Sequence, residues 1–194
     1  MIETLVFKIL NIVVNRPLLR LKLNKCGSNF KIGYRSELRN PQHFSIGKNF
    51  YSGPYGYFVT NKYISVSIGD NVMFGPFCKI FGGDHDLKYY DNHIRFAPEK
   101  AVKNKKIIIE DGVWIGANTT ILTNAHIGEG SVVSSGALVN NYIPPYCISY
   151  GVPANKIKRR FNNHELKAIL KNVKSHYSFS KIIEIYAKHN IVNQ

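Results

Sequence analysis

The chain has 194 residues, of which 44% are hydrophobic and 12% aromatic, enough for one domain with a buried core and appendages. Its 26 Lys and Arg outnumber its 12 Asp and Glu, which gives a formal net charge of +14. Such a balance suits nucleic acid, an anionic membrane surface or a phosphorylated ligand. The basic residues follow no nucleic-acid-reading motif, so nucleic acid is not expected as a partner. The three cysteines are odd in number and lack CxxC spacing, which favours a reducing, cytoplasmic compartment over disulfides or structural zinc.

The first segment, residues 1–25, is predicted to be helical. Residues 2–14 are apolar at helical spacing, and basic residues such as Arg16 and Arg20 follow. The apolar stretch is too short to span a bilayer, and no small-residue cleavage site of a secretory signal follows it. We expect a helix that packs on the end of the next domain. Peripheral contact with the inner face of the cell membrane is the alternative.

The strongest pattern in the chain is a repeat of six residues. Seven positions six residues apart hold Ile109, Ile115, Ile121, Ile127, Val133, Val139 and Pro145. An α-helix repeats every 3.6 residues and a strand every 2, so neither keeps each sixth residue on one face. A coil of short strands does so if each six-residue unit forms one side. Ile68, Phe74 and Ile80 extend the pattern upstream, and the coil is predicted over residues 26–160.

The period is interrupted between Ile80 and Ile109, where a loop over residues 82–106 is predicted to leave the coil. An excursion from a regular coil costs chain entropy and buries little, so we expect it to carry function. From Asn162 onwards the apolar residues have helical spacing. Residues 161–194 are therefore predicted to form a helical tail that caps the open end of the coil, as solenoids require.

These segments resemble the hexapeptide-repeat acyltransferases, in particular sugar O-acetyltransferases such as the galactoside and maltose enzymes. The matching residues are 68–76, 83–85, 113–117, 125–128 and 151–154, and the resemblance covers residues 30–160. It implies a mainly β fold, a left-handed parallel β-helix of hexapeptide repeats. It also implies a homotrimer that uses acetyl-CoA and requires no metal.

The same resemblance implies that His85 is the general base. It would remove the proton of a sugar hydroxyl during attack on the acetyl thioester, and an imidazole with a pKa of about 6.5 suits that step at neutral pH. Asp84 and Asp86 flank His85. One of them is expected to orient the ring or stabilise the imidazolium, with turn formation as the alternative.

Further positions correspond to the cofactor site of similar enzymes. Trp114, the single tryptophan, should point outward beside the thiol end of the cofactor, with subunit packing as the alternative. The backbone amide of Ala117 is expected to meet the acetyl-CoA arm and steady the thioester oxygen. Pantetheine contacts are expected at Ser135, Ala137, Asn140 and Asn141. Contacts to the cofactor's phosphates are expected at Lys156, Lys158, Arg159 and Arg160.

The acceptor side departs from the family pattern. Similar enzymes often carry an acceptor-binding Asn upstream of the catalytic His, and residues 51–57 contain none. We therefore expect an acceptor other than those of the galactoside and maltose enzymes. Sugar-stacking faces are expected from Tyr55, Tyr57, Tyr89 and Tyr90, with burial in the fold as the alternative.

The sequence thus predicts an acetyl-CoA-dependent O-acetyltransferase for a sugar hydroxyl, acting in the synthesis of a surface polysaccharide such as capsule or lipopolysaccharide. A streptogramin-type antibiotic acetyltransferase or an amino-sugar N-acetyltransferase fits the same residues. A metal enzyme like the γ-class carbonic anhydrases would need three histidines around zinc, and position 121 holds Ile where one is required. The last alternative is an inactive scaffold, and the retention of His85 and Trp114 argues against it.

Overall fold

A computed structural model describes residues 16–98 and 105–192. The described residues form seventeen short strands and three α-helices. Helix α1 (Arg16–Lys22) precedes the coil, and 3₁₀ turns occur at Pro41–His43 and Ile94–Phe96. The helix predicted over residues 2–14 lies outside the described residues. Among the helices described here, none is long and apolar enough to cross a membrane.

The strands lie in three sheets that the chain visits in turn. The first sheet has the order β1 (Lys25–Cys26), β3 (Phe44–Ile46), β6 (Ser65–Ile68), β9 (Lys106–Ile109), β12 (His126–Ile127) and β15 (Tyr142–Ile143). The second has the order β17 (Lys156–Arg159), β16 (Cys147–Tyr150), β13 (Val132–Val133), β10 (Trp114–Ile115), β7 (Met73–Phe74) and β4 (Tyr51–Ser52). The third has the order β14 (Leu138–Val139), β11 (Thr120–Leu122), β8 (Lys79–Gly82), β5 (Tyr57–Thr60) and β2 (Glu37–Arg39).

Because every third strand from β3 to β16 returns to the same sheet, the chain is a three-sided coil of parallel strands. Among the described strands, only the last one, β17, runs antiparallel to its neighbour β16. The six-residue series points into the coil, where Ile115, Ile121 and Ile127 are fully buried. Each such side chain contributes about 1.5–3 kcal/mol through the removal of apolar surface from water. The predicted mainly β architecture with parallel strands is confirmed.

The prediction for the seventh position of the series is wrong. Ile143, not Pro145, pairs with Ile127 in the first sheet. The last turn is therefore 143 − 127 = 16 residues long, whereas the preceding turn from Ile109 to Ile127 has 18. The corner after Val139 is shortened, so the register moves forward. Pro145 instead covers Gly128, where an added Cβ would lie 2.5 Å from the proline nitrogen.

The corner between the first and second sheets is built from left-handed residues. Asn29, Asn49 and Asn71 have φ values of 55–59°, and Gly112 and Gly130 occupy the later turns with similar values. Asn and Gly are the residues that tolerate this conformation best. The side-chain Nδ2 of Asn29 donates to Oδ1 of Asn49 at 2.8 Å, and Nδ2 of Asn49 donates to Oδ1 of Asn71 at 2.8 Å. The side chains thus repeat the spacing of the turns and fix it.

Two helices cover the end of the coil. Helix α2 (Asn163–Val173) begins with a capping box in which Asn162 and Glu165 exchange hydrogen bonds. Helix α3 (Phe179–Lys188) places Tyr186 in the core, where its hydroxyl donates to the carbonyl oxygens of Pro145 at 3.1 Å and Tyr146 at 3.2 Å. The tail therefore protects the last turn, whose strand edges would otherwise be open.

One carboxylate joins the tail to the outer surface of the first sheet. Glu110 contacts the ring of His126 at 2.6 Å and accepts hydrogen bonds from the Tyr177 hydroxyl at 2.9–3.0 Å and the Glu129 amide at 2.9 Å. Burial tends to raise the pKa of Glu110. The hydrogen bonds from His126, Glu129 and Tyr177 outweigh burial and hold this pKa below its ordinary value of 4.5.

We predict that Tyr177→Phe weakens the attachment of the tail. The pKa of Glu110 is lower in the folded protein, so its stabilising contribution is present above the ordinary carboxyl value and is lost as pH falls through the folded value. Removal of the tyrosine hydroxyl should cost about 1 kcal/mol of unfolding free energy at neutral pH and reduce the loss in acid. Urea unfolding across this pH range measures both effects. Tyr90→Phe, at a residue that is 91% exposed, is the control, and equal behaviour of the two variants would contradict the assignment.

Candidate active site

The excursion leaves the coil at the carboxyl edge of the third sheet, where β8 ends at Gly82. Gly83 has φ of 125°, a conformation that side chains rarely adopt, and an added Cβ would lie 2.6 Å from Asn61 Nδ2. The Gly83 amide donates to Thr123 Oγ1 of the next turn at 3.0 Å. These contacts fix the direction in which the following residues, Asp84 and His85, leave the coil.

His85 borders a cavity of about 240 Å³ at this edge. The lining residues are Asn40, Val59, Thr60, Asn61, Gly82, Gly83, Asp84 and His85. His85 itself is exposed, so its ring is accessible to a ligand. Sequence reasoning missed Asn40 and Asn61. Their position in the repeat is the signal that would find them. Asn40 follows β2 and Asn61 follows β5, just as Gly83 follows β8 in the same sheet.

The two aspartates beside His85 have different contacts. Asp84 forms an ion pair with Lys105, with 3.2 Å between Oδ2 and Nζ. Asp86 accepts a hydrogen bond from the Lys88 amide at 3.1 Å through Oδ1, which closes a local turn. The ion pair joins Asp84, near the beginning of the excursion, to Lys105, where the chain returns to the coil. Asp86 takes part in a turn, which was the alternative prediction for these aspartates.

Trp114 points outward from the second sheet, as predicted, and is 49% exposed. Its neighbours across the sheet are Met73 on β7 and Val132 on β13. Met73 and Tyr51, one and two turns below, are also exposed, so the outer surface of this sheet carries an apolar strip. A strip of this kind is typical of an interaction surface.

Ala117 lies on the opposite, amino side of the third sheet, in the corner between β10 and β11. Within the described ranges its backbone amide has no hydrogen-bond acceptor. The register of Phe74 with Ile115 places Pro76 at the equivalent position one turn below. Proline has no N–H, so the coil does not need a donor at this corner. Within the described residues, the hydrogen bonds of the coil therefore leave the Ala117 N–H unused.

The structure divides the residues expected to contact pantetheine. Ser135 and Asn140 are exposed, and Asn141 donates through Nδ2 to Asn155 at 2.6 Å. The side chain of Ala137 is only 2% exposed and faces the core, so the expected contact through it is corrected. The reason is its place in the repeat, since the fourth residue after each inward aliphatic also points inward, as Ala125 does.

The basic cluster is likewise divided between two roles. Arg159 donates to the carbonyl of Ile191 at 3.3 Å and to Asn163 at 3.2 Å, and Arg160 donates to the carbonyl of Gly130 at 2.6 Å. Both guanidinium groups thus bind the tail or the coil itself. Lys156 and Lys158 form no ion pair within the described part of the chain and remain the better candidates for an anionic ligand.

The four tyrosines expected near the acceptor do not come together. Tyr55 is exposed at the amino edge of the third sheet and stacks on Phe77, with 5.0 Å between ring centroids. Tyr57 lies on the outer surface of that sheet, 5.3 Å from the Arg39 guanidinium. Tyr89 and Tyr90 belong to the excursion, beyond the carboxyl edge.

Neither a metal ion nor a thiol nucleophile has support in this part of the molecule. Within residues 16–98 and 105–192, no group of three or more His, Cys, Asp or Glu could hold a metal ion. Burial raises the pKa of the Cys147 thiol to about 12 and also raises that of Cys78. Both thiols are therefore protonated at neutral pH and unreactive.

His85 and Ala117 cannot serve one reaction centre within a single chain. They lie at opposite edges of the third sheet, whose strand β8 has four residues. At about 3.3 Å per residue, the strand separates the edges by about 13 Å. A general base must reach the proton it removes within about 2.6–3.2 Å or through one water. A site that uses both residues therefore needs two copies of the chain.

Comparisons with known proteins agree with this architecture. A family model described as "Bacterial transferase hexapeptide (six repeats)" matches residues 106–141. A galactoside O-acetyltransferase of Lactococcus lactis is 33% identical over 102 residues, 53% of this chain and 46% of the relative. An Escherichia coli protein named for O-acetyl transfer in lipopolysaccharide biosynthesis is 30% identical over 156 residues, 67% of this chain and 78% of the relative.

A solved structure is also similar. It is a hexapeptide-repeat acetyltransferase of Vibrio cholerae in complex with acetyl coenzyme A, 26% identical, with a TM-score of 0.62 over 73% of each chain. The chain belongs to the hexapeptide-repeat acyltransferase family. It spans less than two thirds of the length of several curated relatives that it matches, 46% in the case of the galactoside enzyme.

Proposed function

We propose that the protein is an acetyl-CoA-dependent O-acetyltransferase that acts on a sugar hydroxyl, built on a left-handed parallel β-helix. The observation that carries the proposal is the placement of His85. An exposed imidazole borders a small cavity at the start of the excursion, and the hydrogen bond from Gly83 to Thr123 fixes the backbone two residues before it. A base held by a rigid coil edge has the fixed geometry that proton transfer requires.

In this mechanism His85 removes the proton of the acceptor hydroxyl while the hydroxyl oxygen attacks the acetyl carbonyl. The Ala117 amide donates a hydrogen bond to the carbonyl oxygen, where negative charge develops in the tetrahedral intermediate. The C–S bond then breaks, and the sulfur of coenzyme A leaves with the proton that His85 holds. The products are the acetyl ester and the free thiol, and His85 returns to its neutral form.

The separation of His85 from Ala117 favours a closed homo-oligomer. Each copy would supply its carboxyl edge to one neighbour and its amino edge to the other, which is a heterologous contact that closes into a ring. We propose a homotrimer, as the resemblance implies. The apolar strip at Tyr51, Met73 and Trp114 is exposed on each copy and is suited to such a contact.

Acetyl-CoA would lie along the corner that carries the free amide. Ser135 stands one turn above Ala117, because β11 and β14 pair at an offset of 18 residues. Lys156 and Lys158 lie near the end of the coil and would bind the phosphates of the cofactor, with Trp114 beside its thiol end. The Vibrio cholerae relative in complex with acetyl coenzyme A supports this choice of acyl donor.

A role in surface polysaccharide synthesis is supported by the Escherichia coli relative. The described cysteines, Cys26, Cys78 and Cys147, are free, which supports a cytoplasmic location. An amino-sugar N-acetyltransferase is the second candidate. The cavity disfavours an ammonium acceptor, because its one carboxylate, Asp84, is already paired with Lys105.

His85→Ala should lower kcat by roughly 10²–10⁴ because general-base catalysis is lost, while cofactor binding persists. Release of the coenzyme A thiol with a sugar acceptor measures kcat. His126→Ala is the control, since His126 contacts Glu110 beneath the tail and should retain most turnover. A near wild-type kcat for His85→Ala would remove the mechanism.

Ala117→Pro should remove one N–H and little else. Proline already stands at the equivalent position one turn below, at Pro76, and the coil there has the same register. Turnover should fall by about 10²–10³ if the amide stabilises the oxyanion. Thermal melting checks the fold, and Ala117→Ser, which keeps the amide, is the control. Unchanged turnover in a folded Ala117→Pro protein would exclude the amide from the reaction.

The double variant Lys156→Ala with Lys158→Ala should raise KM for acetyl-CoA about tenfold and leave kcat nearly unchanged, because phosphate contacts act equally in the ground and transition states. Steady-state kinetics with varied acetyl-CoA measures both constants. Lys167→Ala with Lys171→Ala on helix α2 removes the same charge elsewhere and serves as the control. Equal effects of the two double variants would refute a specific phosphate site.

A further inference from the structure

The cavity beside His85 is lined by two asparagines. In each side-chain amide, the coil forms a hydrogen bond with one of the two polar atoms and leaves the other without a partner among the described residues. Asn40 donates through Nδ2 to the carbonyl oxygen of Thr60 at 2.6 Å. Its Oδ1 then has no partner within the described ranges and remains an acceptor. Asn40 occupies a left-handed corner with φ of 56°, so its backbone is fixed as well.

Asn61 has the opposite arrangement. Its Oδ1 accepts a hydrogen bond from the backbone amide of Tyr63 at 3.0 Å. The backbone amide of Asn61 donates to the carbonyl oxygen of Gly82 at 3.0 Å. The Nδ2 group lies against Gly83, where a Cβ would come within 2.6 Å, and has no acceptor among the residues described. The Nδ2 group of Asn61 is therefore a fixed hydrogen-bond donor beside Gly83, where the excursion begins.

The cavity thus has one fixed acceptor and one fixed donor beside an exposed imidazole. A hydroxyl both donates and accepts, so two hydroxyls of one sugar ring, on either side of a third, can satisfy Asn40 and Asn61 together. The volume of about 240 Å³ lies below the roughly 300–1,000 Å³ of sites for drug-sized ligands, which favours a single sugar ring. The ion pair of Asp84 with Lys105 leaves no unpaired charge in the lining except a protonated His85.

We propose that Asn61 and Asn40 bind the hydroxyls on either side of the acetylated hydroxyl of an uncharged pyranose, and so select which hydroxyl reaches His85. The proposal rests on the proposed function and specifies its acceptor. The two asparagines are specificity-determining residues, because a site built to pair a hydroxyl rejects an analogue that lacks it. They stand apart from residues 51–57, where the family pattern leads one to look for an acceptor-binding Asn.

The test uses the full chain with acetyl-CoA and methyl α-glucopyranoside, methyl β-galactopyranoside and their monodeoxy analogues as acceptors. With the wild-type enzyme, one or two deoxy positions should lower kcat/KM about tenfold for each lost hydrogen bond. In Asn61→Ala, the parent sugar should fall about tenfold, and one of these deoxy analogues should become equal to the parent. Asn40→Gly, which keeps the left-handed corner, should do the same for the other analogue.

Two controls keep the result specific. Asn124→Gly changes another left-handed corner asparagine outside the cavity and should leave every ratio unchanged. KM for acetyl-CoA should stay the same in all variants. If His85→Ala abolishes acetyl transfer but both asparagine variants keep the wild-type kcat/KM for every acceptor, the inference is overturned and the proposed function stands. No transfer to any glycoside by the wild-type enzyme would overturn the sugar acceptor and the inference together.

Discussion

Hydrogen bonds between the main chains of successive turns determine where every other group of this molecule lies. Gly75 donates to the carbonyl of Ile115 at 2.8 Å, and Gly116 donates to that of Val133 at 2.8 Å. The turns approach so closely at this corner that a Cβ on Gly75 would lie 2.7 Å from Ala117 N. The position of a residue in its six-residue unit therefore decides whether its side chain faces the core, the outer surface or a corner.

This constraint explains what could be predicted from the sequence. The inward series from Ile109 to Val139 follows directly from the period, as does the outward direction of Trp114, because both depend on local spacing alone. Pro145 was misplaced because the last turn is shortened, and no local signal distinguishes a turn of 16 residues from one of 18. The inward side chain of Ala137 was predictable from its place in the repeat, but the family resemblance was followed instead.

The candidate site could be predicted only in part, because its residues are distant in sequence. His85 is marked by the excursion, which interrupts the period. Asn40 and Asn61 carry no such mark, since they line the cavity beside His85 only when two earlier turns stack beneath Gly83. Arg159 looked like a phosphate ligand from its charge, whereas its hydrogen bonds to the carbonyl of Ile191 and to Asn163 depend on where the tail folds back.

The rigid coil also explains why the two groups of the proposed reaction lie at different edges of the third sheet. A straight strand keeps the amino edge, with the Ala117 amide, about 13 Å from the carboxyl edge with His85, at about 3.3 Å per residue over the four residues of β8. Neither edge can bend toward the other without breaking the hydrogen bonds between turns. A single chain therefore holds His85 and the Ala117 amide in place but apart, so the proposed reaction, which uses both groups, requires a second copy of the chain.

The most direct test of this account is activity in mixed oligomers. The His85→Ala and Ala117→Pro chains would be produced together with different affinity tags, and oligomers that carry both tags would be purified. In a closed ring of three heterologous contacts, every mixed ring has one contact with both an intact base and an intact amide, so activity should be roughly one third of wild type. Activity no higher than that of the two parent variants would contradict a site shared between copies.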